Sequence, residues 1–173
     1  LQLTDGRWLA FNDSRKFGRI WLTRAPQRLL DRLGPEPDAP QLTPARFHAC
    51  LQNHRRALKA WLLDQSFLAG LGNIYSDEAL HQASIHPLRP ASTLTAAEAA
   101  RLLHAIRAVL AAGIRHNGTS IDWIYRGGNY QQYLQVYGRT GRPCARCGTP
   151  IPKIRVAQRG THFCPHCQRS DKK

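Results

Sequence analysis

Two Cys-x-x-Cys pairs constrain the C-terminal part of this chain more than any other feature. Cys144 and Cys147 form the first pair, Cys164 and Cys167 form the second, and sixteen residues separate the pairs. Structural zinc sites take four tetrahedral ligands, and two tight turns at this distance match the spacing of a zinc ribbon. The sequence therefore predicts one structural zinc ion held by these four cysteines, with two short strands around "QRG" between them. A redox dithiol is the alternative, although two pairs fit a metal site better.

Other residues near the pairs refine this prediction. We interpret His162 and His166 as surface residues of the ribbon rather than as metal ligands. The fifth cysteine, Cys50, stands alone, and an odd count with two close pairs fits a reducing compartment better than a disulfide framework. Because so small a module buries little core, zinc binding would supply its folding energy.

The charge of the chain indicates a phosphate-rich partner. The formal net charge is +14, and 20 of the 25 basic residues are arginine, whose planar fork suits phosphate. Residues 139–173 carry nine of the basic residues and a single acidic one, which is typical of a nucleic-acid contact. A coding bias towards arginine, combined with solubility, is the alternative. No stretch reaches the roughly 18 apolar residues of a membrane span, and no signal peptide is visible, so we expect no membrane partner.

Three regions differ in pattern along the chain. Residues 1 to about 25 have aromatic and aliphatic residues on both sides of a turn and predict two strands. The proline-rich stretch "LGPEPDAPQLTP" follows as a linker. A helical pattern then runs over roughly 43–114, and a small cysteine module begins near Tyr133. The chain has no methionine, so we expect it to be a fragment of a longer protein.

Local signals place the helices of the middle region. Thr43 is suited to cap a helix that has Pro44 at its first position. A capping box at Thr95–Glu98 opens a long helix that closes near Gly113, and a short helix is predicted around 120–125. The predicted core face of the first helical stretch consists of Phe47, Cys50, Leu51, Leu58, Trp61 and Leu62.

Two segments of this framework could contact phosphate. "AGLGNIYSDEAL" joins two helical pieces through Gly70, Gly72 and Asn73, where glycines allow close approach and the next helix presents free N–H groups. A plain tight turn between packed helices explains this stretch equally well. Arg159 lies beside Gly160 at the predicted tip of the ribbon hairpin, from which it could reach a phosphate. A solvated turn residue is the alternative there.

Taken in order, these segments resemble the formamidopyrimidine-DNA glycosylase / endonuclease VIII family of bacterial base-excision repair enzymes. "NDSRKFG" resembles the family's strand turn, and "DQSFLAGLGNIYSDEALHQASIHP" resembles its helix–two-turns–helix motif. "LQVYGRTGRPCARCGTPI" and "AQRGTHFCPHC" resemble its C-terminal zinc finger. The resemblance covers almost all of the 173 residues.

The resemblance implies a mainly α fold with small β parts. Residues 1–38 would be the last strands of an N-terminal β-sandwich with a linker, 39–132 the helix–two-turns–helix domain, and 133–173 the zinc finger. It further implies one structural zinc ion and double-stranded DNA with an oxidised base or an abasic site as partner. A monomer in the bacterial cytoplasm, associated with the nucleoid, is expected.

The same resemblance implies roles for individual residues. The family flips a damaged base out of the duplex. Arg15 matches the arginine that pairs with the estranged base, and Phe17 matches the phenylalanine that wedges into the stack. Asn73 matches the turn asparagine that holds phosphates beside the lesion. Arg159 matches the finger arginine that binds lesion phosphates and is linked to δ-elimination, and so it is the one catalytic residue implied here.

Other matches to the family are weaker. Lys59 stands where the family has a basic residue near the DNA backbone, and His54 stands where many members have a DNA-contacting lysine. The family's N-terminal proline nucleophile, its following glutamate and a β-sandwich lysine have no match, so we expect the chain to be inactive alone. The stretch "SIDWIYRGGNYQQYLQVYG" looks shorter than the lesion-capping loop of many members. The preferences for oxidised purine or pyrimidine and for the opposite base therefore stay open.

Three hypotheses follow. The first is the DNA-binding portion of a glycosylase and abasic-site lyase that removes oxidised bases and nicks the strand by β,δ-elimination. The second is a non-catalytic module, from a truncated paralogue or a fragment, that binds damaged or abasic DNA. The third is a zinc-ribbon protein of transcription or translation, which the helix–two-turns–helix motif disfavours.

Overall fold

A computed structural model of the protein describes residues 1–13, 16–120 and 127–170. The chain divides into two compact units, Leu1–Leu30 and Asp31–Lys173, which are described separately. The short helix predicted around 120–125 falls almost entirely outside the described residues. No helix among the described residues is long and apolar enough to cross a membrane.

The described residues of the first unit do not form the two strands that their aromatic and aliphatic content predicts. Its described residues contain an isolated β-bridge between Gln2 and Trp8 and a single helical turn, α1, at Gln27–Leu30. Trp8 keeps 73% of its surface exposed and Leu22 is fully exposed, so neither face of a ribbon is buried here. A two-stranded ribbon without a buried face is marginally stable, which explains why strand propensity alone does not produce strands.

The second unit begins its helical part where the sequence predicts. Helix α2 spans Pro44–Gln52, and the Thr43 hydroxyl accepts a hydrogen bond from the backbone N–H of Arg46. Helices α3 (Leu58–Leu62), α4 (Asn73–Gln82) and α5 (Ala96–Arg115) follow.

The long helix α5 begins with the predicted capping box. The Thr95 hydroxyl accepts from the backbone N–H of Glu98, and the Glu98 carboxylate accepts from the backbone N–H of Thr95. The helix ends at Arg115, two residues beyond the predicted closure at Gly113. Both bonds satisfy donors that the first turn leaves without partners, which explains the sharp start of the helix.

Helix α5 packs against α2 and α4 around one apolar core. The periodic positions Phe47, Leu51, Leu58 and Leu62 are fully buried, as predicted, and burial of each such side chain contributes about 2 kcal/mol. Cys50, which the pattern also assigned to the core face, is exposed, and Trp61 is half-buried.

The cysteine module contains one antiparallel hairpin. Strand β1 spans Lys153–Val156 and strand β2 spans Arg159–His162, with Val156 paired to Arg159. The connecting residues Ala157 and Gln158 both have positive φ, at 47° and 63°, as in the type I′ turn that suits the twist of paired strands. Arg159 is therefore the first residue of β2, one step beyond the tip at which the sequence placed it.

Candidate nucleic-acid interface and metal centre

The four paired cysteines converge on one point. Their ligating sulfurs all lie within 4.8 Å of one another. Cys147 Sγ is 3.4 Å from Cys164 Sγ and 3.5 Å from Cys167 Sγ, and Cys144 Sγ is 4.0 Å from Cys167 Sγ. Sulfurs bound to one tetrahedral zinc at about 2.3 Å would be about 3.8 Å apart, so the cluster fits this ion.

The thiols of the cluster differ in acidity. Hydrogen bonding with Thr149 lowers the pKa of Cys147 to about 6, whereas burial raises the pKa of Cys167 to about 12. Zinc binding requires all four as thiolates and so couples folding of the module to the metal. The ion is structural: it would hold the two turns together and leave no open coordination position.

Neither neighbouring histidine joins the metal cluster. His166 is exposed, as the sequence predicts. His162 is instead buried, with 5% of its surface exposed, and its Nδ1 lies 3.4 Å from Asp77 Oδ2. The prediction of a surface position for His162 is therefore wrong, because the hairpin packs this strand against α4.

Lys59 is fully buried beneath the hairpin. Its Nζ forms an ion pair with Asp77 Oδ1 at 2.6 Å and donates to Thr161 Oγ1 at 2.7 Å and to the Gly160 carbonyl oxygen at 3.0 Å. Burial lowers the pKa of the ammonium, and the charge of Asp77 opposes that shift. A side chain without solvent exposure cannot reach a DNA backbone, so the structure gives Lys59 a different position from the one predicted.

Asn73 is the first residue of α4, and its side chain also faces the hairpin. Its Nδ2 donates to the carbonyl oxygen of Gly160 at 3.1 Å, beside the bond from Lys59. Gly70, at φ +82°, and Gly72, the N-terminal cap, bring the chain into the helix. The first N–H groups of α4 have no partner within the helix, and such groups bind anions.

Arg159 directly precedes Gly160, whose carbonyl oxygen accepts hydrogen bonds from Lys59 and Asn73. Its side chain is exposed, and that side chain forms no hydrogen bond or ion pair with any residue in the described part of the chain. The Arg159 guanidinium is therefore unpaired among the described residues, and it extends from strand β2, which Asn73 links to the start of α4. A guanidinium and a helix N-terminus both favour phosphate oxygens, so the arrangement is suited to a nucleic-acid backbone.

Two protein-family models match the residues that form this arrangement. The model described as "Formamidopyrimidine-DNA glycosylase H2TH domain" matches residues 33–124, and the model described as "Zinc finger found in FPG and IleRS" matches 141–169. The chain belongs to the formamidopyrimidine-DNA glycosylase family. The bacterial relatives include the formamidopyrimidine-DNA glycosylases of Chloroflexus aggregans, 51% identical over 97% of this chain, and of Latilactobacillus sakei, 48% identical over 96% of it.

Solved structures of formamidopyrimidine-DNA glycosylases share the fold. The MutM (Fpg) protein of Thermus thermophilus matches with a TM-score of 0.83 and 45% identity, over 92% of this chain and 64% of that one. The complex of Lactococcus lactis Fpg with DNA containing an abasic site matches with a TM-score of 0.77 and 42% identity, over 83% and 54%. The chain spans about 63% of the length of the curated relatives named above.

Two adjacent carboxylates of α4 hold the zinc finger on the helical domain, and sequence reasoning missed both. Asp77 Oδ2 accepts from the backbone N–H of His162 at 2.9 Å. The Glu78 carboxylate accepts from three consecutive backbone N–H groups, those of Gln135, Val136 and Tyr137, at 2.8 to 3.0 Å. Burial raises the pKa of Glu78, and these three bonds oppose the shift. The sequence signal that could have revealed these contacts was a pair of adjacent acidic residues, Asp77 and Glu78, on a helix of a strongly basic chain.

Of the remaining positions implied by the resemblance, the structure describes His54 and Phe17. His54 stacks on the Trp61 ring, with 3.6 Å between ring centroids, and is half-buried. Phe17, in the first unit, keeps 82% of its surface exposed, while Arg15 lies outside the described residues. Within the second unit, the structure therefore brings together Asn73, Lys59 and the Arg159 strand, whereas His54 belongs to a separate aromatic cluster.

Proposed function

We propose that this chain is the DNA-binding portion of a base-excision-repair glycosylase and abasic-site lyase. The parent activity would remove oxidised bases of the formamidopyrimidine and 8-oxoguanine type and nick the abasic site by β,δ-elimination. The observation that carries this proposal is the shared hydrogen bonding of Gly160, which fixes the Arg159 strand to the start of α4. We further propose that the protein acts as a monomer on the nucleoid in the bacterial cytoplasm.

In this proposal the residues act on the DNA backbone and on the base stack. The N-terminal N–H groups of α4 and the Arg159 guanidinium bind phosphates beside the lesion, and Arg159 assists δ-elimination. Phe17 wedges into the stack after the damaged base leaves it, and Arg15 pairs with the base left behind. Lys59 and Asn73 hold the hairpin, so their contribution to DNA binding passes through Gly160.

The relatives support this proposal. A Lactococcus lactis Fpg was solved with DNA containing an abasic site, and another solved structure is that of MutM in complex with DNA containing carbocyclic 8-oxo-G. Both share the fold of this chain at 42% identity. The net charge of +14 gives the long-range attraction that such a ligand requires.

Binding of matched duplexes tests the proposal. Fluorescence anisotropy with the zinc-loaded chain compares a duplex that contains a stable abasic-site analogue with the same duplex undamaged. We expect tighter binding of the abasic duplex, because its backbone bends and opens more easily at the lesion. Equal affinity for the two duplexes at several salt concentrations would contradict damage recognition by these residues.

A second candidate is a module that binds damaged DNA without cleaving it. The contacts at Gly160 support this candidate by themselves, because they place groups that are suited to bind phosphate and require no nucleophile. Borohydride trapping on an abasic duplex separates binding from chemistry. We expect no covalent adduct from the 173 residues, and an adduct would contradict this second candidate.

A further inference from the structure

His81 lies where α4 meets the first cysteine turn of the zinc finger. Its ring is buried, with 1% of the residue exposed, and its Nε2 is 3.6 Å from Cys144 Sγ. Cys144 is itself 2% exposed, so the contact between the two side chains is shielded from water. His81 is not one of the four metal ligands, since the cluster of ligating atoms consists of cysteine sulfurs.

Arg146 bonds to the backbone of His81 and so ties the first cysteine turn to α4. Arg146, which lies between Cys144 and Cys147 in sequence, donates from Nη1 to the His81 carbonyl oxygen at 3.0 Å and to Ser84 Oγ at 3.3 Å. This bond ties the cysteine turn to the C-terminal end of α4, where cationic groups are favoured. The cysteine turn is therefore docked on α4 through both a side chain and a backbone carbonyl of one residue.

The polar contacts of the ring determine which nitrogen carries hydrogen. His81 Nδ1 is buried and has no hydrogen-bond partner in the described part of the chain, so the contact of Nε2 with the Cys144 sulfur is the hydrogen-bonding contact that the structure gives the ring. A metal-bound cysteine is a thiolate and accepts hydrogen bonds. A lone pair on Nε2 would face that anion, whereas an Nε2–H would be stabilised by it.

We propose that His81 donates a hydrogen bond from Nε2–H to the Cys144 thiolate and thereby supports zinc binding from outside the ligand set. Such a bond stabilises the charged sulfur and orients it towards the metal. It also makes zinc retention depend on α4, the helix that begins with Asn73. His81 is thus a positioning residue for the metal centre, and it needs no contact with DNA.

Zinc affinity of matched variants tests this role. The variant His81→Phe keeps a ring of similar size but removes the N–H group, and we expect about a tenfold weaker apparent zinc affinity, as is common for residues that support metal ligands. His166→Phe, the same substitution at the exposed histidine beside Cys167, should leave the affinity unchanged. Competition against a chromogenic chelator measures both, and far-ultraviolet circular dichroism of the zinc-loaded proteins checks their folding.

Two further measurements decide the interpretation. His81→Gln places an amide N–H near the position of Nε2, and we expect it to recover most of the lost affinity. In the wild-type chain with zinc bound, long-range ¹H–¹⁵N spectra of ¹⁵N-histidine should show His81 protonated at Nε2, a result independent of whether any variant folds. Wild-type affinity in a folded His81→Phe variant, or a hydrogen on Nδ1 alone, would overturn the proposal.

Discussion

The ammonium of Lys59 donates a hydrogen bond to the carbonyl oxygen of Gly160 at 3.0 Å, although 101 positions of sequence separate them. Because Asn73 donates to the same oxygen, two residues of the helical domain fix one peptide of the hairpin. Arg159 directly precedes Gly160, so its backbone position depends on the buried Lys59 and on Asn73. The buried pair of Lys59 and Asp77 therefore contributes to the shape of the surface above it.

Replacement of Lys59 should affect both stability and DNA binding. In Lys59→Met the buried carboxylate of Asp77 loses its ion-pair partner, and breaking such a pair costs about 3–5 kcal/mol. The hairpin also loses one of its two bonds at Gly160, so abasic-duplex binding should weaken. Urea denaturation and fluorescence anisotropy measure the two effects.

A double variant separates these effects. Lys59→Met combined with Asp77→Asn removes both charges of the buried ion pair, and the amide oxygen can still accept from the backbone N–H of His162. We expect the double variant to recover most of the free energy of unfolding but not the DNA affinity. Full recovery of binding together with stability would show that the bond to Gly160 has no positioning role.

Arg159→Ala should weaken binding of an abasic duplex and reduce its salt dependence. Loss of one phosphate contact lowers the slope of log K against log salt by about 0.9. The matched control is Arg155→Ala, which removes the same charge from an exposed arginine of β1 that pairs with Gly160. If the two variants lose affinity and slope equally, general charge rather than a specific phosphate contact explains the role of Arg159.

Short sequence motifs predicted those parts of the fold that depend on residues close together in sequence. The cap at Thr43, the capping box at Thr95 and the four-cysteine cluster each depend on spacings within a short segment or on one ligand type. The buried contacts of Lys59 join residues more than a hundred positions apart, and no local pattern marks a charged side chain for burial. The resemblance placed this lysine near DNA, whereas the tertiary structure places it under the hairpin.

Removal of one zinc ligand should unfold the finger and leave the helical core intact. We expect Cys147→Ser to lose zinc, because its sulfur lies 3.4 to 3.5 Å from two other ligands of the cluster. The apolar core around α5 contains no cluster residue, so the helical circular dichroism should largely persist. Metal analysis and two-dimensional NMR of the tail measure the outcome.

The control is Cys50→Ser, at the exposed cysteine outside the cluster, which should keep full zinc content. A native tail with bound zinc in Cys147→Ser would contradict the proposed set of four ligands.

The two glycines before α4 should respond differently to alanine. Gly70 has φ +82°, so Gly70→Ala forces a side chain into the left-handed region and should lower the free energy of unfolding by about 1 kcal/mol. Gly72 has φ −96°, and no heavy atom lies within 4 Å of the position its Cβ would take. Gly72→Ala should therefore lower the thermal midpoint less than Gly70→Ala does, although glycine is the better of the two residues at a helix N-cap.

Gly72→Ala should nevertheless weaken DNA binding, because Gly72 caps the helix whose first N–H groups are proposed to meet a phosphate. The added methyl group would stand in the path of a closely approaching DNA backbone, while the protein alone has room for it. Anisotropy with the abasic duplex and calorimetric unfolding of the same samples give the two readouts. Unchanged affinity with unchanged stability would mean that DNA does not approach the start of α4 closely, and the phosphate site would have to lie elsewhere on the basic surface.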